Sequence, residues 1–371
     1  RARQAYNGKR IVLSTMALIT TMKDGQVKHR LIVDCRVSGV NSSTTKWERI
    51  LLPRIGDVLK DTMKLKAGAP RGEQVQYYVC DFSDAFFMVP IKWDEQPYFA
   101  VELWGSIYIF NRVTQGSLDG PSLYGRLSAF TGRCSQSLVP ATEALLQIYT
   151  DDPILTMIGC TARAHRLLSI LTMGWLIMGY TMAFHKAQLG RSAAWVGYQI
   201  KDTKLGTSIM VKESFLDDLR ADTTRLVREN VIGLKELRSY TGRANHVAGL
   251  MFIWRPFLDA LWAATATGAM THQGSTGISK TKRRKPRKSR APPGHIWTKQ
   301  VISSIRWIAY FLADINGPLH REWSFDAYLG TGPRVVFVVD ASPYGLGGIL
   351  VIGMTVVAYF AVPLSDDDCR I

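Results

Sequence analysis

The sequence has few cysteines and histidines, and neither residue is grouped. The five cysteines are scattered over the 371 residues without paired spacing, and the seven histidines form no cluster. These spacings indicate neither a disulfide framework nor a zinc site, and they favour a reducing compartment. No N-terminal stretch has the apolar core and cleavage site of a secretory signal. We therefore expect an intracellular protein, cytoplasmic or nuclear.

Long uncharged runs are also scarce, and the one that stands out covers residues 345–364. Its length matches a bilayer, but its glycines and β-branched runs are typical of two adjacent strands. It therefore predicts sheet, and we expect no membrane partner. Hydrophobic residues form 47% of the chain and charged residues 20%, which excludes a wholly disordered protein.

Acidic residues are outnumbered, with 30 Asp and Glu against 46 Lys and Arg, giving a net charge of +16. Such an excess favours polyanionic partners such as nucleic acid. Residues 280–290, KTKRRKPRKSR, carry eight of these cations and no acid. A segment so charged cannot bury apolar area by itself. One interpretation is a solvated linker or a nuclear-import signal. The other is a direct contact to nucleic acid, and the two interpretations are compatible.

Hydrophobic periodicity predicts an α+β protein. Between residues 11 and 199, short β-branched and aromatic runs alternate with helical stretches. Residues 213–264 place apolar side chains at steps of three and four, which predicts two or three packed helices. Beyond the basic run, residues 296–314 indicate a helix, and residues 333–353 indicate a strand, a turn and a second strand.

Acids interrupt two apolar strands. Asp81 and Asp84 lie in YYVCDFSDAFF, and Asp151 and Asp152 lie in LLQIYTDDPIL, which predicts a hairpin with acids at its tip. By strand alternation we expect Asp151 on the face of Asp81, with the turn bringing Asp152 near. Carboxylates gathered in this way call for a hard cation such as Mg²⁺, and two ions would serve a phosphoryl transfer. Taken alone, a pair of Asp residues is a common turn signal.

Six motifs in order, VDCR, CDFSDAF, TQG, YTDD, FHK and WVGY, resemble the polymerase domain of reverse transcriptases from retroelements (retrotransposons and retrovirus-like elements), over residues 23–264. The resemblance implies a right-hand polymerase. It divides the chain into fingers and palm (residues 1–204), a helical thumb (205–270), a basic flexible linker (271–295), and a connection helix with a truncated ribonuclease H-like module (296–371). The first residue, Arg1, indicates a fragment of a longer polyprotein.

The resemblance also implies a role for each motif. Asp81 and Asp151 resemble the metal ligands, Asp152 the third palm acid, and the carbonyl of Phe82 an assisting ligand, for two Mg²⁺ or Mn²⁺ ions. Lys186 matches the lysine that protonates the pyrophosphate leaving group. The residues implied to bind the incoming nucleotide are Lys28, Arg30, Asp84, Ala85, Phe86, Gln115 and Gly116. Those of the primer grip are Trp195, Val196, Gly197 and Tyr198.

Phe86 falls where the family places a bulky side chain under the sugar, which implies deoxynucleotide substrates and a DNA product. The expected partners are an RNA or DNA template with its primer, and dNTPs. Two departures from the family pattern are Gly120-Pro121-Ser122, where Ser-Pro is usual, and Pro153 directly after the paired acids. Proline is tolerated near the start of a strand. Pro153 therefore bears on the strand pairing of the hairpin more than on the predicted metal ligands.

Residues 335–350 resemble the first strand and hairpin of a ribonuclease H domain, with Asp340 as its first metal ligand. The family needs further acids beyond this hairpin, and residues 366–368, all Asp, lie too close to it. We therefore expect an incomplete module without nuclease activity.

Two alternatives remain open. An RNA-directed RNA polymerase shares the paired acids, but a small sugar-gate residue and a GDD motif would be expected, so Phe86 and YTDD argue against it. A degenerate or accessory copy would bind nucleic acid without catalysis, and the intact Asp81, Asp151 and Lys186 count against it. The sequence does not predict the oligomeric state.

Overall fold

The computed structural model describes residues 6, 8–23, 26–46, 48–70, 72–273, 291–313 and 319–365. The basic run 280–290 and the acids at 366–368 therefore lie outside the described residues. The chain divides into two compact units, Arg1–Glu322 and Trp323–Ile371.

Helices and strands are mixed along the chain, as the sequence predicts. The strands are β1 (Thr15–Lys23), β2 (Gln26–Asp34), β3 (Val75–Val79), β4 (Phe82–Ser83), β5 (Ala100–Leu103), β6 (Ser106–Ile109), β7 (Ala144–Tyr149), β8 (Asp152–Ile158), β9 (Thr181–Met182), β10 (Gln188–Gly190), β11 (Ser192–Trp195), β12 (Tyr198–Asp202), β13 (Gly206–Val211), β14 (Val231–Gly233), β15 (His295–Trp297), β16 (His320–Ser324), β17 (Val335–Ser342), β18 (Gly345–Ile352) and β19 (Thr355–Pro363). The helices are α1 (Val40–Ser43), α2 (Ile55–Gly68), α3 (Gly120–Ser137), α4 (Thr161–Ile177), α5 (Glu213–Arg228), α6 (Leu234–Ala248), α7 (Arg255–Gln273), α8 (Ile302–Leu312) and α9 (Phe325–Leu329).

A four-stranded antiparallel sheet in the order β10–β3–β8–β7 lies at the centre of the first unit. Strands β7 and β8 form the predicted hairpin, in which Tyr149 pairs with Asp152. Pro153 lies opposite Ile148, so the departure from the family pattern leaves the register intact. The hairpin prediction is therefore confirmed.

The core of this unit lies between the central sheet and helices α3 and α4. Helix α4 buries residues at helical spacing, ending in Trp175, whose indole Nε1 donates to Ser135 Oγ on α3 at 2.8 Å. Leu155 of the central sheet and Phe82 of β4 join the same buried cluster. Fully burying side chains of this size contributes about 1.5–3 kcal/mol each, so this cluster fixes the strands that carry the acids.

The helices predicted for residues 213–264 are present as α5, α6 and α7. Strand β13 precedes them, so the segment named as the thumb begins with a strand and its first helix begins at Glu213. Strand β13 belongs to a second sheet, in the order β11–β12–β13–β16. The helix predicted within residues 296–314 is α8, preceded by the short strand β15.

The second unit contains α9 and a meander of β17, β18 and β19. The strand, turn and strand predicted for residues 333–353 are confirmed, and residues 345–364 form sheet rather than a span. Within the described part of the chain, no helix is both long and apolar enough to cross a membrane.

Candidate active site

The acids meet where β3 ends beside the β7–β8 turn. Cys80 N donates to Pro153 O at 3.4 Å and Phe82 N donates to Asp151 O at 2.9 Å, which continues the β3–β8 register. That register places Asp152, rather than Asp151, directly across from Asp81. Asp151 lies in the two-residue turn, where strand alternation does not apply, so its sharing of a face with Asp81 stays a prediction.

Lys186 reaches this group of acids, and its Nζ forms an ion pair with the Asp81 carboxylate. The backbone explains the approach, since Ala183 N donates to Asp81 O and Lys186 N donates to Ala183 O, each at 2.9 Å. These bonds fix the short 3-10 turn Phe184–Lys186 against the end of β3. The structure thus brings together Lys186 and Asp81, which are 105 residues apart in sequence.

The residues at the acidic turn meet some of the requirements of a site for a hard cation. Among the residues that the structure describes, no group of three or more His, Cys, Asp or Glu side chains is arranged to hold one ion. Carboxylates and a backbone carbonyl are nevertheless the oxygen donors that Mg²⁺ uses, and such sites take only one or two carboxylates and are completed by substrate phosphates. Burial raises the pKa of the Cys80 thiol to about 12, and the charges of Asp81 and Asp152 add to the increase. The charges of two of the predicted metal ligands therefore act on the Cys80 thiol.

Phe86 follows a sharp change of backbone direction. Asp84 has a positive φ of 53°, and a 3-10 turn, Ala85–Met88, begins directly after it. Ala85 is buried, whereas Phe86 is half-buried and its ring packs on Tyr124 with centroids 5.6 Å apart. The ring is partly exposed, and its role as a sugar gate stays a prediction.

The Gln115–Gly116 loop is tied to the end of β2. Val33 N donates to Gln115 O at 2.9 Å, and Gly116 has a φ of 114°. A Cβ at position 116 would lie 2.0 Å from Val33 O, so only glycine fits this approach. Asn41 completes the attachment, since its Nδ2 donates to Gly116 O at 3.0 Å and its Oδ1 accepts from Leu118 N at 2.9 Å. Sequence reasoning missed this role of Asn41.

Lys28 and Arg30 lie on β2, paired with Thr21 and Ile19 of β1. Their sharing of one face and their contact with a nucleotide stay predictions. Arg30 is exposed. Because the Gln115 loop bonds to Val33 on the same strand, the two predicted nucleotide-binding segments adjoin through β2.

The WVGY motif forms the turn between β11 and β12, where Trp195 pairs with Tyr198. Trp195 Nε1 donates to Asp152 O at 2.9 Å, so this turn is attached to the acidic hairpin. Val196 has a φ of 45° and Gly197 a φ of 79°. A positive φ is unfavourable for a β-branched residue, so the backbone at Val196 is strained.

His246 on α6 holds this turn, and sequence reasoning missed it. Its ring packs on Tyr198 with centroids 4.3 Å apart, and Tyr198 Oη donates to His246 O at 2.6 Å. A Cβ at Gly197 would lie 2.8 Å from His246 Nε2, so the imidazole covers the glycine. Burial lowers the pKa of His246. The helical spacing of α6 predicts a buried face but does not distinguish a histidine that contacts a turn.

A cleft of about 580 Å³ lies between these hairpins and the helices that follow. Its lining includes Tyr149 from β7, Trp195 and Tyr198 from the WVGY hairpin, Asn245 from α6, and Arg255 and Trp262 from α7. Aromatic side chains with an arginine form a surface on which nucleotides can stack and pair with a cation.

Backbone strain is concentrated in the same region. In the described part of the chain, the non-glycine residues with positive φ are Asp84, Trp104, Thr150 and Val196. Three of them belong to the DFSDAF, YTDD and WVGY motifs. Such conformations cost about 1–3 kcal/mol each and tend to occur at functional sites.

Known proteins share this architecture. Comparison with protein-family models and with curated proteins found no match. Among solved structures, the foamy viral protease-reverse transcriptase dRH in complex with double-stranded DNA matches with a TM-score of 0.55 and 18% identity, over 98% of this chain and 53% of that chain. A second foamy viral protease-reverse transcriptase, also in complex with double-stranded DNA, matches with a TM-score of 0.51 and 17% identity, over 98% and 63%.

The chain has a fold similar to that of a viral reverse transcriptase. It spans about half to under two thirds of the length of these two proteins. At such identities the likeness concerns the fold alone, and the role of each site residue stays a prediction.

Asp340 lies in the second unit, and this unit is described separately. It is an exposed residue of β17 opposite Gly347 of β18, and its Oδ1 accepts from Ala341 N at 2.9 Å. The hairpin has the form expected from the sequence, whereas its likeness to ribonuclease H and a metal at Asp340 remain predictions.

Proposed function

We propose that this chain is an RNA-directed DNA polymerase of a retroelement that extends a primer with dNTPs by two-metal nucleotidyl transfer. The observation that carries the proposal is the meeting of Asp81 and Lys186 with the acidic turn at one end of the central sheet, in a fold similar to that of a viral reverse transcriptase. Asp81, Asp151 and Asp152, with the Phe82 carbonyl, would hold two Mg²⁺ ions, which supply charge stabilisation to the attacking and leaving oxygens.

The side chains of this site have separable roles in the proposal. Lys186 Nζ, held at Asp81, would give its proton to the pyrophosphate oxygen that leaves. Arg30, exposed on β2, would pair with the triphosphate, and Phe86 would exclude a 2′-hydroxyl. Gln115, fixed by β2 and Asn41, would lie against the nascent base pair.

A template with its primer is the partner that the cleft suits. The foamy viral neighbours of similar fold are solved with double-stranded DNA. In this chain, the aromatic lining and Arg255 of the cleft adjoin the WVGY turn, which we propose as the primer grip. The primer terminus would then lie between that turn and the acids, because Trp195 bonds directly to Asp152.

Primer extension tests the proposal. The purified chain, given poly(rA)/oligo(dT) and Mg²⁺, should incorporate dTTP, and a matched poly(dA) template measures template preference. Replacing Mg²⁺ by Ca²⁺, an oxygen-binding ion with longer and looser coordination, should suppress incorporation while the primer stays bound. Absence of incorporation with either Mg²⁺ or Mn²⁺ would contradict the proposal.

A second candidate function is nucleic-acid binding without catalysis. The observation in its favour is that the Asp81 carboxylate is paired with Lys186, with no three-residue metal group among the described residues. This candidate predicts normal affinity for the primer and template but no extension with either cation. The same two measurements therefore separate the candidates.

The sugar-gate assignment gives a prediction for Phe86→Ala. Removing the ring opens room for a 2′-hydroxyl, so the preference for dNTP over rNTP, as a ratio of kcat/KM values, should fall by about 10-fold to 100-fold. Phe130→Ala is the matched control, because Phe130 is an exposed phenylalanine on α3. An unchanged ratio in Phe86→Ala would show that the ring only packs on Tyr124.

The basic run, known only from its sequence, gives a second prediction. Replacing residues 280–290 with Gly and Ser should flatten the salt dependence of duplex binding, since each neutralised phosphate contributes about 0.9 to the log-log slope. If about four of the cations engage, the slope falls by about 3 to 4.

The single-turnover incorporation rate at saturating template should stay unchanged in that variant. A scrambled run that keeps all eight cations is the control and should retain the slope. Equal slopes for all three proteins would mean that the run is a linker or an import signal.

A further inference from the structure

Helix α3 buries a tyrosine near the acidic turn. Tyr124 has no exposed surface, and its Oη makes no hydrogen bond to any described residue. Buried hydroxyls in folded proteins nearly always have a partner, and an unsatisfied one is unfavourable. The hydroxyl of Tyr124 therefore calls for an explanation.

A second tyrosine nearby shows that α3 can satisfy such a group. Tyr180 is also buried, and its Oη lies 2.6 Å from Thr131 Oγ1. Thr131 is seven residues after Tyr124 on the same buried face of α3. Tyr124 on α3 and Tyr180 beside α3 are thus two buried tyrosines in one region. Among the described residues, only the hydroxyl of Tyr180 has a hydrogen-bond partner.

The surroundings of Tyr124 are those of the candidate active site. Its ring packs on Phe86, and Gly120, one turn before it on α3, lies against the same Phe86 ring. Burial raises the pKa of the Tyr124 hydroxyl strongly. Tyr180 and then the charges of Asp151, Asp81 and Asp152 add to the increase. The Tyr124 hydroxyl therefore keeps its proton and can donate a hydrogen bond, and the three carboxylates whose charges act on it are acceptors.

We infer that Tyr124 is a positioning residue of this site, whose hydroxyl donates a hydrogen bond to the Asp151 carboxylate when a divalent cation draws the acids together. A carboxylate that binds a cation through one oxygen offers the other as an acceptor, and such supporting hydrogen bonds orient metal ligands. We assign Asp151 as the acceptor, and the Asp151→Asn background described below tests that choice. The inference rests on the proposed function.

The test compares Tyr124→Phe with Tyr180→Phe, the same change at an unsatisfied and a satisfied buried phenol. Each full-length protein is mixed with primer and template, the primer ending in a dideoxynucleotide, and with the matching dNTP, so that no reaction occurs. Free Mn²⁺ is then measured by its electron paramagnetic resonance signal. Tyr124→Phe should raise the Kd for Mn²⁺ by about 10-fold or more, the range found for groups that support metal ligands.

Thermal melting without cation gives a second readout, independent of binding. Tyr124→Phe should not lower the Tm, because the hydroxyl has no partner to lose. Tyr180→Phe should lower the Tm, because Thr131 loses its partner, and should leave the Kd for Mn²⁺ unchanged. In the Asp151→Asn background, Tyr124→Phe should add no further weakening, since interacting residues are not additive.

The outcomes separate this inference from the proposed function. If the wild type extends a primer and Tyr124→Phe binds Mn²⁺ as the wild type does, the inference is overturned and the proposed function stands. If Tyr124→Phe lowers the Tm as Tyr180→Phe does, the hydroxyl serves the fold and the inference is also overturned. If the wild type neither binds Mn²⁺ nor extends a primer, the proposed function fails, and the inference fails with it.

Discussion

Asp151→Asn should reduce primer extension on an RNA template by at least about 100-fold. Asn keeps the size of the side chain and removes its charge, so a cation at the acidic turn loses a ligand that neutralises it. Metal ions contribute several kcal/mol to the stabilisation of such transition states, and about 1.4 kcal/mol corresponds to a tenfold change in rate. The measurement is single-turnover incorporation of one dNTP at saturating template.

Two controls make this result specific to the site. Asp94→Asn removes an exposed carboxylate that pairs with Lys9 at 2.7 Å, and it should retain the wild-type rate. The affinity of Asp151→Asn for primer and template should not fall below the wild-type value, since the change removes charge repulsion rather than a cationic contact. Extension by Asp151→Asn at the wild-type rate would contradict the assignment of Asp151 as a ligand.

Much of the site could be predicted because short-range rules govern it. The acidic hairpin follows from two apolar runs that flank a pair of aspartates, and the structure has it as β7 and β8 with Tyr149 opposite Asp152. The helices of residues 213–264 follow in the same way from their spacing. Patterns of period two and 3.6 carry this information without knowledge of tertiary contacts.

Long-range pairings could not be predicted in this way. Asn41 holds Gly116 across 75 residues, and the His246 carbonyl accepts from Tyr198 across 48. A hydrogen bond from a side chain to distant backbone does not change the hydrophobic periodicity of the sequence. Any polar residue at that position would give the same local pattern. Strand alternation also does not determine the direction of the Asp151 side chain, since the turn at Thr150 has a positive φ that alternation does not anticipate.

A buried ion pair is the least predictable of these contacts. Asp202 on β12 is 3% exposed, and its Oδ1 lies 2.5 Å from Lys66 Nζ on α2. Lys66 Nζ also donates to Thr203 O and Gly206 O. Asp202 Oδ2 accepts from Val75 N of β3 and, at 3.4 Å, from Nη2 of the partly exposed Arg191. These bonds join α2, the central sheet and the sheet that carries the WVGY turn. The sequence around Lys66 is that of an ordinary amphipathic helix and does not indicate a buried cation.

Asp202→Asn should therefore destabilise the fold by about 3–5 kcal/mol, the range for removing one partner of a buried ion pair. The loss arises because Lys66, only 11% exposed, keeps its charge and two carbonyl acceptors but no counter-ion. Asp94→Asn breaks a solvent-exposed pair and should lower the stability far less, because water screens such pairs. The measurement is the free energy of unfolding in urea, followed by tryptophan fluorescence.

Adding Lys66→Met to Asp202→Asn tests the physical reason. Replacing both charges removes the uncompensated cation, and exchanging a buried ion pair for uncharged groups is often neutral. The double variant should therefore recover more than half of the lost stability, because the introduced asparagine can still accept from Val75 N through its amide oxygen. If the double variant is less stable than Asp202→Asn alone, the stabilisation lies in the packing of the Lys66 stem rather than in the charge pair. Equal losses in Asp202→Asn and Asp94→Asn would contradict the role of burial.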